Sequence, residues 1–146
     1  MKKFGIPELD ELIGGGLDDA SLNVIAGRNG TGKTVLASQW IAEGVRRGET
    51  CVYVSTRMSI TSIEKHLGRM SFMADVFDKV NWRVIDIDAK MFMPVTKERI
   101  EEWFEKYVGL EVEEIDRFVF DVVSCIVRAV GDPVLFRRIL RELERI

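Results

Sequence analysis

Apolar residues along this chain change their spacing several times, and each change predicts an element. A helical repeat from Leu9 opens near Pro7 and stops at Gly14-Gly15-Gly16, since proline suits a first helical turn and glycine ends one. Leu22-Asn23-Val24-Ile25-Ala26 is a short apolar run between turn residues, which predicts a buried parallel strand. Val35, Leu36, Ala37, Trp40, Ile41 and Val45 then recur at helical spacing up to Gly48. Cys51 to Ser55 predicts a second strand, Ile63, Leu67 and Met70 a helix, and Arg83 to Ile87 a third strand. Pro94 and Thr96 open a helix carrying Ile100, Trp103, Phe104 and Tyr107. A fourth strand is predicted over Phe118 to Val122, and Asp132-Pro133 starts a last helix through Phe136, Ile139, Leu140 and Leu143. Strands alternating with helices predict an α/β fold around a parallel sheet.

Length and composition narrow this picture. The 146 residues suit one domain with one core, so 1–146 is taken as a single unit. Apolar residues make up 47% and charged residues 31%, the balance of a globular protein. No apolar run approaches the roughly 18 residues that cross a bilayer, and the first residues lack a signal peptide's apolar centre, so a cytoplasmic location without membrane contact is expected. Cys51 and Cys125 lie in or beside apolar runs and read as two reduced thiols. A net charge of −3 gives no general attraction to nucleic acid, which is not an expected partner.

The chemistry lies between the first predicted strand and its helix. Gly27-Arg28-Asn29-Gly30-Thr31-Gly32-Lys33-Thr34 fits the phosphate-binding loop GxxxxGK[ST] in the strand–loop–helix context that the motif requires. Glycines allow a tight turn with successive N–H groups aimed at phosphate oxygens, and the positive end of the following helix favours the anion. Gly27 through Val35 are therefore the candidate nucleotide-binding residues, with Lys33 on the β- and γ-phosphates and Thr34 on Mg²⁺. Such a loop needs a carboxylate at the end of an apolar strand to hold the water shell of Mg²⁺. Asp121, closing Phe118-Val119-Phe120-Asp121, is the candidate. Asp86 and Asp88 also end a strand-like run but read as a solvated strand exit.

Beyond these motifs, most of the chain resembles the KaiC-like branch of the RecA/RadA ATPase superfamily. The similarity is carried by Phe4 to Leu17 with its glycine triplet, the phosphate-binding loop, Glu43-Gly44, Arg47-Gly48-Glu49, Tyr53-Val54-Ser55, Asp121 with Ser124 beyond it, and Asp132-Pro133. The resemblance implies a three-layer RecA-like nucleotide-binding core, Mg·ATP as ligand, and assembly into rings with nucleotide between subunits. A homo-oligomer, or a complex with a longer RecA-like protein, is the expected partnership.

Two departures from the family pattern shape the functional expectation. Where the family carries an acidic pair that includes the base for the attacking water, this chain reads Thr56-Arg57-Met58. Neither Arg57 nor Met58 accepts a proton from water at neutral pH, and loss of such a group costs about 10²- to 10⁴-fold in rate. Glu64 is a weak substitute, and Arg57 reads as a surface cation rather than a γ-phosphate partner. The resemblance also implies a sensor strand between 22–26 and 118–122, following the helix after the Asp121 strand. With Ile146 as the last residue, the expected core is truncated there: either those two strands pair directly, or a partner chain donates the missing strand, or the chain is a fragment of something longer, the first two being favoured.

Weaker signals have ordinary readings. His66 reads as solvated, and Trp40, Trp103, Phe104 and Tyr107 as core. Arg137, Arg138, Arg141 and Arg145 alternate with Glu142 and Glu144 as a solvated face. The sequence thus predicts a Mg·ATP-binding protein, a nucleotide-dependent switch with slow or absent hydrolysis and no assigned catalytic residue. The alternatives are an ATPase completed in trans and an interaction module with a relic loop.

Overall fold

The computed structural model describes residues 1–121 together with 137, 138 and 141. Helix α1 (Pro7–Leu12) starts on its proline and is followed by the glycine triplet. Helix α2 (Lys33–Arg46) follows the phosphate-binding loop and leads through Gly48 into strand β1 (Cys51–Ser55). Helix α3 (Ile60–His66) is capped by Ser59, whose hydroxyl accepts from Ser62 N at 3.2 Å. Strand β2 (Asn81–Val84) precedes helix α4 (Lys97–Trp103), capped by Thr96 and continued as a π-helical turn over Phe104–Val108. Strand β3 (Arg117–Asp121) completes the described elements.

The sheet is wholly parallel in the order β2-β1-β3, with Cys51 opposite Arg117, Tyr53 opposite Val119 and Ser55 opposite Asp121. Central β1 is buried along its whole length. Alternation along the strands sends their side chains to two faces. On one face Cys51 and Tyr53 pack with Ala37, Ile41 and Ala42 of α2. On the other, Val52 and Val54 join Ile100, Trp103, Phe104 and Val108. Helix, sheet and helix form the three layers of a RecA-like α/β core. Each of the buried Ile and Val side chains among them contributes on the order of 1.5–3 kcal/mol.

The N-terminal segment is strapped to the sheet at the end remote from Asp121. Lys2 and Leu17 exchange backbone hydrogen bonds of 2.7 and 2.9 Å. A Cβ on Gly16 would lie 2.7 Å from the Lys2 carbonyl, so this close approach requires glycine. The Asp10 carboxylate accepts from Phe4 N and Gly5 N, and buried Arg117 donates to the carbonyls of Lys3 and Trp40.

Several expectations require correction. Residues 22–26 form no strand: Leu22, Val24 and Ile25 are 43%, 73% and 42% exposed, and no ladder hydrogen bond joins them to β3. Direct pairing of this run with the Asp121 strand therefore does not occur, and among the described residues only β1 pairs with β3. An apolar run supplies a face to bury, but a strand also needs a neighbour for its N–H and C=O groups. The third predicted strand begins two residues earlier than expected and ends at Val84, although Ile85 N still donates to the Ser55 carbonyl. The helix through Ile63 ends at His66, and Leu67 and Met70 continue as turns. The fourth strand begins at Arg117, one residue earlier than expected, and is described through Asp121, while Val122 lies outside the described residues. The Asp132-Pro133 helix start and Cys125 lie outside the described residues, while Arg137, Arg138 and Arg141 are helical and exposed.

Candidate functional site

The loop from Gly27 to Gly32 is exposed and reaches α2 through two glycines with left-handed backbone, Gly30 at φ +78° and Gly32 at φ +93°. Side chains are strained in that region, which explains glycine at both positions. No side chain caps α2, and Gly32 occupies the cap position. The N–H groups of Lys33, Thr34 and Val35 precede the first i−4 bond of the helix, from Leu36 N to the Gly32 carbonyl at 2.9 Å. The helix start therefore offers N–H groups without intrahelical partners at the positive end of its dipole.

Inside the loop, polar side chains turn back on the backbone. Lys33 Nζ donates to the Gly27 carbonyl at 2.6 Å, and Thr31 Oγ1 donates to the Arg28 carbonyl at 2.7 Å. Lys33 thus spans the mouth of the loop.

Thr34 and Asp121 lie 87 residues apart and meet at the top of the sheet. Thr34 Oγ1 donates to Asp121 Oδ2 at 2.8 Å, and Tyr53 Oη donates to the same oxygen at 2.6 Å. Among the described residues, Oδ1 receives no hydrogen bond. Burial first, then the Asp121 carboxylate, pushes the Tyr53 hydroxyl well above its ordinary pKa, so it remains a donor. The Asp121 backbone is held as well, its carbonyl accepting from Thr56 N at 2.8 Å.

Positions 56–58 therefore adjoin Asp121 without bringing a carboxylate to it. Arg57 N and Met58 N donate to Ser55 Oγ at 3.4 and 3.1 Å, and the Arg57 side chain is exposed. Glu64 and His66 are exposed on α3 with no described bond to Thr34 or Asp121. Asp86 is exposed, and Asp88 caps the turn at 89–92 by accepting from Lys90 N at 3.0 Å, as a solvated strand exit would. Trp103 and Phe104 are core, as expected.

The fold brings Thr34 and Asp121 together at one end of the sheet, with Lys33 beside Thr34 at the start of α2. Tyr53 is the residue that sequence reasoning left without a role. Strand alternation places 53 and 121 on the α2 face only once the structure sets Ser55 opposite Asp121, a register that the sequence does not display.

A family model described as ATPase: KaiC matches residues 2–146. The chain belongs to the KaiC ATPase family. It is 29% identical over 160 aligned positions to a UPF0273 protein of Thermotoga maritima, covering 99% of this chain and 63% of that one. A UPF0273 protein of Pyrococcus horikoshii is 23% identical over 117 positions, covering 80% of this chain and 45% of its own length. The circadian clock protein KaiC3 of Synechocystis is 40% identical over 63 positions, 43% of this chain and 12% of that protein. The KaiC-family chain thus spans less than two-thirds of these relatives. Among its described residues no helix is long and apolar enough to cross a membrane, and no group of three or more His, Cys, Asp or Glu residues could cage a metal ion.

Proposed function

We propose that this KaiC-family chain binds Mg·ATP on residues 27–35 and acts as a nucleotide-dependent switch with slow or absent hydrolysis. The observation that carries this reading is the 2.8 Å contact between Thr34 and Asp121, at the foot of a loop whose helix has no side-chain cap. Gly27, Arg28, Asn29, Gly30, Thr31 and Gly32 supply the backbone of the cradle, and Lys33, Thr34 and Val35 supply the first helical N–H groups. On binding, Lys33 exchanges the Gly27 carbonyl for a phosphate oxygen, a stronger charge-assisted partner.

The donor set fits a hard divalent cation held jointly by protein and phosphates. A hydroxyl that gives its only proton to a carboxylate keeps its lone pairs for a cation, and Asp121 retains one oxygen for cation-bound water. The absence of a protein-only cage among the described residues suits Mg²⁺, which keeps several waters and leans on substrate phosphates. When bound, the cation offsets phosphate charge. The chain's own residues bind and orient the nucleotide, but Thr56-Arg57-Met58 bring no base beside Asp121, so slow turnover follows.

A calorimetric titration of Mg·ATP into wild type and Lys33→Ala, with released phosphate assayed in the same samples, tests this reading. Binding by wild type that weakens at least about tenfold in the variant, with little phosphate released, supports it; equal binding by both leaves the loop a relic. The exposure of 22–32 favours one second reading, a site completed by a neighbouring copy. Phosphate release rising more than linearly with protein concentration would establish that reading.

A further inference from the structure

We propose that Tyr53 is a positioning residue for Asp121, its hydroxyl anchoring Oδ2 so that Oδ1 accepts from the water shell of the cation that accompanies the nucleotide. This role rests on the Mg·ATP reading above. Tyr53 is 1% exposed on central strand β1, and its ring lies 5.1 Å from that of Trp82. On the α2 face it belongs to the same buried cluster as Ala37, Ile41 and Ala42, and close packing restrains the ring. Position 53 sits opposite Val119 and position 121 opposite Ser55, so Tyr53 reaches Asp121 along the sheet diagonal open to long side chains.

The arrangement solves a specific problem. A carboxylate at a strand end turns easily about its last torsion, which has broad minima. Thr34 alone is a poor anchor, because its hydroxyl is also asked to face the cation. Tyr53 has no such second duty. Its 2.6 Å bond joins the 2.8 Å bond from Thr34 on one oxygen, and Oδ1 is left without a partner among the described residues. A buried tyrosine needs some acceptor in any fold. What marks this one is that its acceptor is the carboxylate that Thr34 also touches.

The test measures ATP affinity of the full chain by calorimetry with Mg²⁺ and again in EDTA, for wild type, Tyr53→Phe, Asp121→Asn and the double variant. The ratio of the two affinities is insensitive to the fraction of folded protein, and phenylalanine keeps the ring's packing. Expected is a Mg²⁺ enhancement about tenfold smaller in Tyr53→Phe, the scale of outer-shell partners of metal ligands, with affinity in EDTA within about twofold of wild type. In the Asp121→Asn background, Tyr53→Phe should change nothing further. An enhancement equal to wild type, an equal loss in both media, or a further loss in the double variant overturns the positioning role. Wild type that binds ATP without enhancement overturns it too but leaves the loop a nucleotide site. Wild type that binds no ATP in either medium removes both readings.

Discussion

Arg117 and Glu49 form a two-pronged ion pair, Nε to Oε2 at 3.1 Å and Nη2 to Oε1 at 3.2 Å, at the opposite end of β3 from Asp121. The guanidinium is fully buried, lies over the Trp40 ring at 5.0 Å and also donates to the Lys3 and Trp40 carbonyls. Burial raises the Glu49 carboxyl, but hydrogen bonds and charge from Arg117 and Lys2 outweigh it and hold the group below its ordinary 4.5. A carboxylate lowered by folding stabilises fully above its unfolded value, and that stabilisation is lost as pH falls through the folded value. Glu49→Gln should therefore cost about 1.5–3 kcal/mol at pH 7, with the gap to wild type closing below pH 4.5. Urea unfolding of both chains across pH 3–7 checks this, and a pH-independent gap would contradict it.

Gly44 lies where α2 crosses the sheet, and a Cβ there would sit 2.6 Å from both Arg117 Cδ and Cys51 Sγ. In an exposed helix, alanine for glycine gains up to about 1 kcal/mol. Here overpacking reverses the sign, and Gly44→Ala should lose about 1–3 kcal/mol. Thermal melting reads the difference, and a variant as stable as wild type would mean that helix and strand separate without cost.

Cys51 should be chemically silent in the folded chain. It has no exposed surface, and burial pushes its thiol up to about 12. The thiolate is the reactive form, so at pH 8 a Cys125→Ser chain should react with a thiol reagent at least about a hundredfold more slowly when native than in urea. Equal rates would show that β1 opens readily.

Much of this architecture was legible because it depends on local chemistry. The loop glycines, the cap at Thr96 and the apolar runs at 51–55 and 118–121 each announce an element within a few residues. The rest depends on partners. Leu22 to Ala26 has the composition of a core strand, yet a strand exists only beside a neighbour, and no residue in the run encodes one. Arg117 reads as a charge outside the predicted fourth strand, and only the convergence of Glu49, Lys3 and Trp40 makes it a buried anchor. Asp121 was legible as a strand-end acid, whereas its bond to Tyr53 required the β1–β3 register, which a single sequence does not display.

Gly32 separates loop geometry from fold stability. At φ +93° it turns the chain into α2, and no heavy atom would meet an added Cβ within 4 Å, so the cost of Gly32→Ala is conformational rather than a clash. Left-handed backbone costs an alanine roughly 1–2 kcal/mol. An exposed loop can relax part of that by rotating its peptides, but rotation turns N–H groups away from the positions that phosphate oxygens require. Melting temperature should therefore fall only slightly, while ATP affinity falls about tenfold or more, because several donors lose alignment together. Lys33→Ala should weaken binding by another route, removing one charge and leaving the backbone cradle intact, so inorganic pyrophosphate should compete with ATP in Lys33→Ala but not in Gly32→Ala. Calorimetry with both ligands on both variants distinguishes the two, and unchanged ATP affinity in Gly32→Ala would mean that the backbone cradle does not hold the phosphates.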